Sequence, residues 1–314
     1  MATEEMTVIC MGVHVLDVLV YPVERIPEGQ GGELVEQIRM TAAGSAGGTA
    51  LTLAKLGATT RSAGAIGTDP VGDMLEALLI GAGIDPSLLV RRDDVQTSAS
   101  VLPIRPNGDR PAFHVIGANG TYGPGDVDYD AFAEATHLHL GGPEFMGGEN
   151  AAEILARARE SGVVTSADIL APGEPDLLEW IAPAFAGLDY LLPNAEQVLG
   201  FTGEDDLVAG CRKLIDRGVE CVVATEGPDG AVVVDAQTDA RIPAYKVNVV
   251  DTTGCGDAFS AGFLRGLSLG RDRAEAAKLG CAAAALVAGG LGSDFGDFDL
   301  DVADNFARTG PTID

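Results

Sequence analysis

Apolar segments of strand length alternate with amphipathic segments of helix length along most of this sequence, and this alternation constrains its fold most. In the second half, strand-like THLHLGG (136–142) and VECVVATEG (219–227) alternate with helix-like ENAAEILARARESG (149–162) and DLVAGCRKLIDRG (206–218). Strands that alternate with helices pair mainly in parallel, because each helix carries the chain back across a face of the sheet. The sequence therefore predicts a three-layer α/β fold, with a mainly parallel sheet and helices on both of its faces.

The first half of the chain continues the alternation. The segment 7–20 (TVICMGVHVLDVLV) predicts a strand, and 60–67 (TRSAGAIG) predicts another. The segments 47–58 (GGTALTLAKLGA) and 69–84 (DPVGDMLEALLIGAGI) have helical spacing, and the second opens with Asp-Pro, a typical helix start. The whole chain, residues 1–314, is therefore expected to form a single domain.

Two stretches, 22–43 and 95–117, interrupt this order and resemble short strands joined by turns. The second contains RPNGDRP (105–111), whose Asn-Gly pair is a hairpin signal. Ligands of open α/β sheets bind beyond the carboxyl ends of the strands, and mobile segments there close over them. We therefore expect the two stretches to form a small β lid over one end of the main sheet.

Composition restricts the partners. The formal net charge of −27 at pH 7 makes nucleic acids and anionic membranes poor partners, because both repel a negative surface. No apolar run is long enough to span a bilayer, and two glutamates lie among the first five residues, where a signal peptide needs cations. The five cysteines form no CxxC pair, which is typical of a reducing compartment. The expected location is the cytoplasm.

Several common motifs are absent from the sequence. No Lys is followed by Ser or Thr, so there is no Walker A loop, and no GxGxxG follows a predicted strand. DFG occurs at 294–296 without the other protein-kinase motifs that would give it meaning. His137 and His139 alternate on one predicted strand, and we expect them to be buried there rather than to bind a metal ion.

The segment DTTGCGDAFSAGF (251–263) concentrates the chemistry of the chain. It predicts a strand end, a tight turn and a helix that begins near Asp257. Such a turn exposes backbone N–H groups at the helix N-terminus, where they and the helix dipole bind anions. The predicted anion hole consists of Gly254, Cys255, Gly256 and Asp257.

Asp257 has two interpretations. It is either the N-cap of the helix or a general base placed beside a phosphate. A base next to an anion hole suits the transfer of a phosphoryl group to a hydroxyl, because the base takes the hydroxyl proton while the amides stabilise the transferring charge. The residues of this turn alone leave the two interpretations equally supported.

This segment closely resembles the D-T-x-G-A-G-D signature of the PfkB/ribokinase family of carbohydrate and nucleoside kinases. Only Cys255, at a position that is usually Ala, departs from that seven-residue core. Further segments resemble family motifs in the same order: GVHVLD (12–17), AGSAGGTALTLAKLGA (43–58), GAIGTDPVGDMLEALLIGAGID (64–85), LPNAEQVLGFTG (192–203) and ATEGPDGAVV (224–233). The resemblance covers nearly the whole chain and favours the base over the cap for Asp257.

The resemblance implies a ribokinase-like fold and an ATP- and Mg²⁺-dependent kinase that phosphorylates a primary hydroxyl of a small sugar or sugar derivative. Asp257 would be the catalytic base. The implied sugar site includes Asp17, Gly44 and Gly48, and the implied nucleotide site includes Asn194, Thr225, Gly227 and Gly230. The implied Mg²⁺ region includes Asn194, Glu196 and Gln197, and a monovalent cation such as K⁺ would lie near Asp251 and Thr253. The resemblance also implies a homodimer that pairs through the lid.

Three departures from the family pattern leave the substrate open. Gly48 replaces an Asn that contacts the sugar in ribokinase-like members, and Gln197 occupies a position that is usually Glu. Gly141 and Gly142 replace polar sugar ligands, which predicts a roomier pocket. One alternative is therefore a nucleoside kinase with stacking aromatics in the lid, drawn from Tyr21, Phe113 and Tyr122. The other is a non-catalytic sugar-binding or regulatory protein.

Overall fold

A computed structural model describes residues 5–313 as two β-sheets with nine α-helices and several short 3-10 turns. The strands are β1 (Thr7–Gly12), β2 (Val15–Tyr21), β3 (Gln37–Ala43), β4 (Thr59–Gly67), β5 (Asp85–Arg92), β6 (Ala99–Pro103), β7 (Phe113–Val115), β8 (His137–Gly141), β9 (Val164–Asp168), β10 (Tyr190–Leu191), β11 (Cys221–Thr225), β12 (Ala231–Asp235) and β13 (Asp239–Ile242). The helices are α1 (Ser45–Lys55), α2 (Pro70–Gly81), α3 (Gly148–Glu160), α4 (Pro175–Ile181), α5 (Ala195–Thr202), α6 (Leu207–Ile215), α7 (Cys255–Ser268), α8 (Arg273–Val287) and α9 (Leu300–Thr309). The extreme ends of the predicted 1–314 domain, including Glu4, lie outside the described residues.

The large sheet has the predicted, mainly parallel architecture. Its nine strands follow the order β13-β12-β11-β10-β9-β8-β1-β4-β5, and all neighbours pair in parallel except β11 with β12 and β12 with β13. Successive residues of β1 face opposite cores. Ile9 and Met11 pack with helices α3 to α6, whereas Val8 and Cys10 pack with α1, α2, α7 and α8. Both faces of the sheet are therefore covered by helices, as the alternation predicted.

The opening strand predicted over 7–20 is in fact two strands in two sheets, and that prediction is wrong. β1 pairs with β4 and β8 in the large sheet, while β2 pairs with β3 and β6 in a small one. The chain crosses between the sheets at Val13 and His14, where buried residues continue without interruption. The backbone N–H and carbonyl of His14 bond the side-chain amide of Asn119 at 3.1 and 2.9 Å, which fixes the crossing.

The small sheet, in the order β3-β2-β6-β7, contains the strands of the predicted lid and is called the lid below. Within the two predicted lid stretches, β3, β6 and β7 are strands, whereas residues 22–36 form none. Arg39 on β3 donates to the carbonyl of Leu291 at 2.9 Å and to Asp294 at 2.8 Å. The β3 edge of the lid is thus tied to the segment after α8, while the residues of β7, at the opposite edge, are all exposed.

The helix lengths, two histidines and the cysteines also bear on the sequence predictions. Among residues 5–313, no helix combines the length and apolar character that crossing a membrane requires. His137 and His139 are both buried on β8, as predicted. All five cysteines are free thiols, and only Cys255 is partly exposed.

Helices α7 and α8 pack closely because small residues line their contact. A Cβ atom on Gly262 would lie 2.6 Å from the carbonyl oxygen of Leu279, and one on Gly266 would lie 2.6 Å from Cα of Ala276. On α7, Phe259 and Phe263 are buried in the core that covers one face of the large sheet. This packing fixes the position of α7, whose N-terminus is the turn at 251–257.

We expect Gly262→Ala to lower the free energy of unfolding by about 1–3 kcal/mol, because the added methyl group must push α8 away from α7. The matched change Gly81→Ala places the same methyl group at the exposed end of α2, where no atom lies within 4 Å. That variant should keep its stability or gain about 0.4–1 kcal/mol, since alanine restricts the unfolded chain more than glycine does. Denaturant unfolding of both variants measures the difference, and equal stabilities would contradict the packing argument.

Candidate active site

The turn at 251–257 brings free backbone N–H groups to the start of α7. Gly254 has a φ of 77°, a left-handed conformation that favours glycine, and a Cβ atom there would lie 2.6 Å from Cα of Ser293. Within residues 5–313, the N–H groups of Gly254, Gly256 and Asp257 bond no other backbone group, so they are available to an anion. The N–H of Cys255 is engaged, since it donates to the carbonyl of Thr252 at 3.2 Å.

The side chain of Cys255 packs away from these amides. Its Sγ atom lies 3.6 Å from the carbonyl oxygen of Ala284 on α8. Burial, together with the nearby charge of Asp251, raises the pKa of the thiol to about 12. Cys255 is therefore neutral at physiological pH and takes the place of the usual Ala without adding charge to the turn.

Asp257 is not the N-cap of α7. Gly254 holds that position, and no side chain caps the helix. The carboxylate of Asp257 lies instead against α1, where a Cβ atom built on Gly48 would overlap Oδ2 and lie 2.7 Å from Cγ. The hydroxyl of Thr49 donates to the Asp257 carbonyl at 3.4 Å. Gly48, which the family pattern places at the sugar, therefore makes room for the predicted base.

Three carboxylates act on one another around this point. Burial raises the pKa of Asp257 well above its ordinary value, the charges of Asp168 and Asp17 raise it further, and Arg110 partly offsets the rise. Burial likewise raises the pKa of Asp17 to about 6. A carboxylate with a raised pKa is a better proton acceptor once it is ionised, which suits a general base.

Sequence reasoning missed Asp168, the last residue of β9. It is buried, its Oδ1 atom has no hydrogen-bond partner among the described residues, and its Oδ2 atom lies 3.5 Å from Nε2 of His139. A signal was present, because the predicted strand VVTSAD (163–168) ends in an acidic residue. Ligands bind at the carboxyl ends of parallel strands, so an acid there is a candidate for the site.

Asp17 lies on the lid. The registers of β3, β2, β6 and β7 place Thr41, Asp17, Ser100 and His114 side by side on one face, and these four residues are called the polar row. The hydroxyl of Ser100 lies 3.0 Å from Nδ1 of His114. Thr41, Asp17 and Ser100 are buried, so the polar row faces the interior rather than solvent.

The glycines that predicted a roomier pocket leave no empty space, and this expectation is wrong. A Cβ atom on Gly141 would lie 2.8 Å from Cα of Ala46, and one on Gly142 would lie 2.7 Å from Cγ2 of Val13. Gly44, with a φ of 81°, joins β3 to α1, and a Cβ atom there would lie 2.6 Å from the carbonyl of Val13. These glycines let α1 begin directly against the ends of β1 and β8.

A cavity of about 450 Å³ adjoins the turn and brings the predicted nucleotide residues together. Thr225, Gly227 and Gly230 line it, and so do Cys255 and Gly256. Sequence reasoning missed most of its apolar wall, which includes Ala244, Val247, Val249, Phe259, Ala284 and Ala288. The volume and apolar wall suit a nucleoside base, and because Gly256 also lines the cavity, phosphates attached to such a base would lie near the free amides.

Asn194 and Gln197 bond each other at the start of α5. Asn194 accepts from the Gln197 N–H at 2.8 Å and forms an isolated bridge with Thr225, which brings it to the nucleotide side. The Gln197 amide is buried, accepts from the Asn194 N–H, and donates to the carbonyls of Ile169 and Ala171. Both N–H donors of the Gln197 amide are therefore used and its oxygen is directed to the backbone of Asn194, so the structure gives no support to the predicted role in binding a metal-bound water.

Glu196 and Asp251, the remaining residues predicted to bind a cation, fit that role only in part. Glu196 is exposed and forms no ion pair within residues 5–313. Mg²⁺ commonly binds one or two carboxylates together with substrate phosphates, so Glu196 and Asn194 fit an ion that arrives with ATP. The carboxylate of Asp251 is fully engaged, because it accepts from the N–H and hydroxyl of Thr253 and from the N–H of Gly292. A monovalent cation here would therefore rely mainly on backbone carbonyls.

The sequence resembles known proteins over nearly the whole chain. A family model described as pfkB family carbohydrate kinase matches residues 7–297. The chain belongs to this family. An ATP-dependent ribose-1-phosphate kinase of Halopiger xanaduensis is 29% identical over 292 residues, covering 93% of this chain and 90% of that protein. A ribokinase of Staphylococcus aureus is 28% identical over 265 residues, covering 80% and 84%.

Solved structures share the fold. A ribokinase from Thermotoga maritima has a TM-score of 0.79 at 23% identity, covering 97% of this chain and 99% of its own. An Arabidopsis thaliana ribokinase complexed with ribose and ATP has a TM-score of 0.82 at 22% identity, with the same coverage. An E. coli protein described as a ribokinase II, solved with ATP and Mg²⁺, has a TM-score of 0.82 at 20% identity, covering 96% and 99%.

These comparisons confirm the predicted family, the ribokinase-like fold and the enzyme class. The pfkB kinases are phosphotransferases that act on an alcohol group and use ATP. This chain is accordingly a sugar or nucleoside kinase. The family result also removes the support for a non-catalytic sugar-binding protein, since Asp257 and its turn are retained.

We expect Gly48→Ala to reduce kcat by about 10²–10⁴-fold, the range of a lost general base, because its methyl group would displace the Asp257 carboxylate. Gly47→Ala is the matched control, since a Cβ atom there would lie an ordinary 3.4 Å from Cδ2 of His14. Steady-state kinetics of the two neighbouring variants, with circular dichroism to confirm folding, make the test. If Gly48→Ala retains full kcat, the contact does not position the base.

In the pH profile of kcat/KM, activity should fall on the acidic side, called the acid limb, at a higher pH than the ionisation of an ordinary aspartate would give. Asp257 must be ionised to accept a proton, and burial and neighbouring carboxylates raise its pKa, so activity falls as pH falls through that raised value. Asp168→Asn removes the neighbouring charge that raises the pKa of Asp257 more, and it should move the limb to lower pH. Asp176→Asn, an exposed acid on α4, should leave the limb unchanged. An identical limb in all three proteins would assign it to another group.

Proposed function

We propose that this protein transfers the γ-phosphoryl group of ATP to a primary hydroxyl of a small sugar or sugar derivative. The position of Asp257 carries the proposal. It lies in the first turn of α7, beside free N–H groups that adjoin the nucleotide cavity, and its carboxylate interacts with the buried Asp17 and Asp168. A proton acceptor in contact with an anion site is what phosphoryl transfer to a hydroxyl requires.

In this mechanism Asp257 accepts the proton of the attacking hydroxyl. The free N–H groups of Gly254, Gly256 and Asp257 stabilise the negative charge of the transferring group. These amides need little rearrangement during the reaction, because Gly254 is held against Ser293 and the start of α7 is fixed by helix packing. Mg²⁺ bound with ATP near Asn194 and Glu196 would neutralise part of the phosphate charge.

Asp17 and Asp168 are proposed to bind the other hydroxyls of the acceptor. Both are buried, and the free Oδ1 atom of Asp168 gains a hydrogen bond if a substrate hydroxyl donates to it. A buried acceptor atom without a partner is costly, by about 1–3 kcal/mol, so a ligand that supplies the missing donor is favoured. Because Asp17 is on the lid, binding would also draw the lid over the site and exclude water.

The nucleoside alternative gains no support from the lid aromatics. Tyr122 is buried in the core on one face of the large sheet. Phe113 stands beside Val101 on the face of the lid opposite the polar row, and is 63% exposed. Tyr21 packs with the cluster around Leu19. None of these three rings is placed to stack on a base at Asp257, so we favour a sugar acceptor.

Asp257→Asn should lower kcat by about 10²–10⁴-fold, while calorimetry should show that ATP still binds, because the nucleotide cavity is not changed. The assay is ADP release across a panel of sugars and nucleosides, with Mg²⁺ and with or without K⁺. Asp272→Asn is the control, because it makes the same change at an aspartate that also lies at the start of a helix, α8, but outside the proposed site. This variant should keep its turnover. Unchanged turnover in Asp257→Asn, or no turnover by the native protein on any acceptor, would count against the proposal.

We also propose a homodimer that pairs through the lid. The outer face, opposite the polar row, is apolar, and its exposed side chains are Ile38, Met40, Val101, Phe113 and Val115. Contiguous exposed apolar patches are typical of protein interfaces. A second copy of the same face would cover it symmetrically, as in most homodimers.

Met40→Glu should convert such a dimer to a monomer, because it introduces a charge into the apolar face. Ile80→Glu is the control, since Ile80 is an isolated exposed residue of α2. Size-exclusion chromatography with light scattering gives the mass of each variant. A monomeric native protein, or a dimeric Met40→Glu variant, would exclude the lid as the interface.

We also propose that the protein binds a monovalent cation and that it is located in the cytoplasm. The N–H groups of Val250 and Asp251 donate to the carbonyl of Ala288, so the backbone next to the predicted cation residues Asp251 and Thr253 is held against the end of α8. The free state of all five cysteines agrees with a reducing compartment.

A further inference from the structure

One buried histidine has no role in the mechanism proposed above. His139 is the middle residue of β8, and its side chain is completely buried. The strand registers place it between Cys10 of β1 and Ser166 of β9. Its neighbours along the strand, Leu138 and Leu140, belong to the core beside α3 to α6. Because successive side chains of a strand point to opposite faces, His139 lies on the face of the sheet that α1 and α7 cover.

Asp168 lies on the same face, at the carboxyl end of β9. The preceding residue, Ala167, belongs to the core on the other face. Asp168 pairs with Gly141, where a Cβ atom would overlap a backbone nitrogen in the first turn of α1. Gly48, also in this turn, adjoins the carboxylate of Asp257. Strand register and helix contacts thus place Asp168 and the proposed base at the same end of the sheet.

The two ring nitrogens of His139 have different surroundings. Nδ1 lies 3.0 Å from the hydroxyl oxygen of Ser166, and that hydroxyl donates to the carbonyl of Leu138 at 3.4 Å. A hydroxyl has only one proton to donate, so it accepts from His139, and Nδ1 carries a proton. Nε2 lies 3.5 Å from Oδ2 of Asp168 and has no hydrogen-bond partner within residues 5–313. The ring therefore presents one unused nitrogen to the carboxylate.

This nitrogen and the carboxylate need a proton between them. Without one, a lone pair of Nε2 would face the acceptor Oδ2, whereas a proton makes a charge-assisted hydrogen bond. Imidazole is a stronger base than a carboxylate, so the proton resides on Nε2. Burial raises the pKa of the Cys10 thiol, so this neighbour of the ring is neutral and does not compete with Asp168. A small rotation of Asp168 shortens the 3.5 Å separation to hydrogen-bond distance, and such bonds commonly tighten when substrate binds.

We propose that His139 is a positioning residue that holds Asp168 in the orientation that binds the acceptor. This inference rests on the proposed function, in which Asp168 accepts a hydrogen bond from an acceptor hydroxyl. The Nε2 proton bonds Oδ2 and fixes the plane of the carboxylate, so Oδ1 is left for that hydroxyl. Ser166 fixes the orientation of the ring in turn. The positive charge of the ring also offsets the repulsion between Asp168 and Asp257.

His139 should therefore affect the binding of the acceptor and not the binding of ATP. The hydrogen bond of Asp168 to a hydroxyl that does not react is made both in the bound complex and in the transition state. Losing such a bond raises KM and leaves kcat nearly unchanged. Neither His139 nor Asp168 lines the nucleotide cavity, so the KM for ATP should not respond.

Two substitutions separate the roles of the two ring nitrogens. His139→Asn places an amide at the position of Nδ1 and does not reach Asp168, whereas His139→Gln carries an amide to the position of Nε2, where it donates to the carboxylate. His139→Asn should raise the KM for the acceptor by about 10- to 100-fold, the cost of a lost hydrogen bond to a charged group. His139→Gln should restore a KM near the native value.

His137→Asn is the matched control. His137 is buried on the same face of β8, at the opposite end of the strand, and its Nδ1 atom lies 2.9 Å from the hydroxyl of Thr136. The same substitution there should leave both KM values unchanged. Circular dichroism checks that each variant is folded.

The kinetics use D-ribose and D-fructose as acceptors, and NMR of the histidine ring nitrogens shows the proton itself. Native protein should carry a proton on both nitrogens of His139. Asp168→Asn should lose the one on Nε2, because an amide does not hold that proton. A native protein without the Nε2 proton, or a native acceptor KM in His139→Asn, would refute the inference and leave the kinase function intact. An equal rise of both KM values, without rescue by His139→Gln, would reduce His139 to a structural role.

The proposed function is judged separately, by the panel of acceptors described above. If the native protein turns over none of them, that function fails, and calorimetry with D-ribose replaces the kinetics. Binding that His139→Asn weakens and His139→Gln restores would support the inference. Binding that is equal in all three proteins, or absent from the native protein, would overturn it.

Discussion

The contact between the first turns of α1 and α7 holds the rest of the site in place. Gly48 leaves room for the carboxylate of Asp257, and Thr49 bonds the Asp257 carbonyl, so one helix start positions the other. The positive ends of two helix dipoles thereby lie near one buried carboxylate and one set of free amides. Each helix reaches this point only because glycines remove a side chain from its path, at Gly141 for α1 and at Gly262 for α7.

Electrostatics give the site its chemical character. A protein with a net charge of −27 places three interacting carboxylates together at the end of its sheet, two of them buried, an arrangement that costs stability because none has a lysine or arginine in direct contact. The same arrangement makes Asp257 more basic than an exposed aspartate. Stability is thus given up locally for a group that accepts protons, as at many active sites.

The sequence predicted the parts of this protein that local patterns determine. The alternation of strands and helices gave the layered fold, and the seven residues from Asp251 to Asp257 gave the turn and the base. It did not reveal the change of sheets at Val13 and His14, because the strand-like pattern continues through a break that only backbone pairing defines. The contact of Gly48 with Asp257 joins residues far apart in the chain, and Gln197 is occupied by carbonyls of a distant loop. Contacts between residues so far apart in the chain leave no local pattern in the sequence.

The two edges of the lid are held differently, and this asymmetry bears on how an acceptor can be captured. Arg39 ties the β3 edge to Asp294, whereas β7 at the opposite edge is exposed along its whole length. If the β3 edge stays fixed, Asp17, which pairs with Thr41 of β3, would move least and the β6–β7 connection would move most when the lid closes. On the proposed function, a sugar would first bind Asp17 and Asp168, and the β6–β7 connection would then close over it. A water molecule offers no further hydroxyls for the lid to bind, so the lid would stay open without an acceptor, and hydrolysis of ATP would be suppressed.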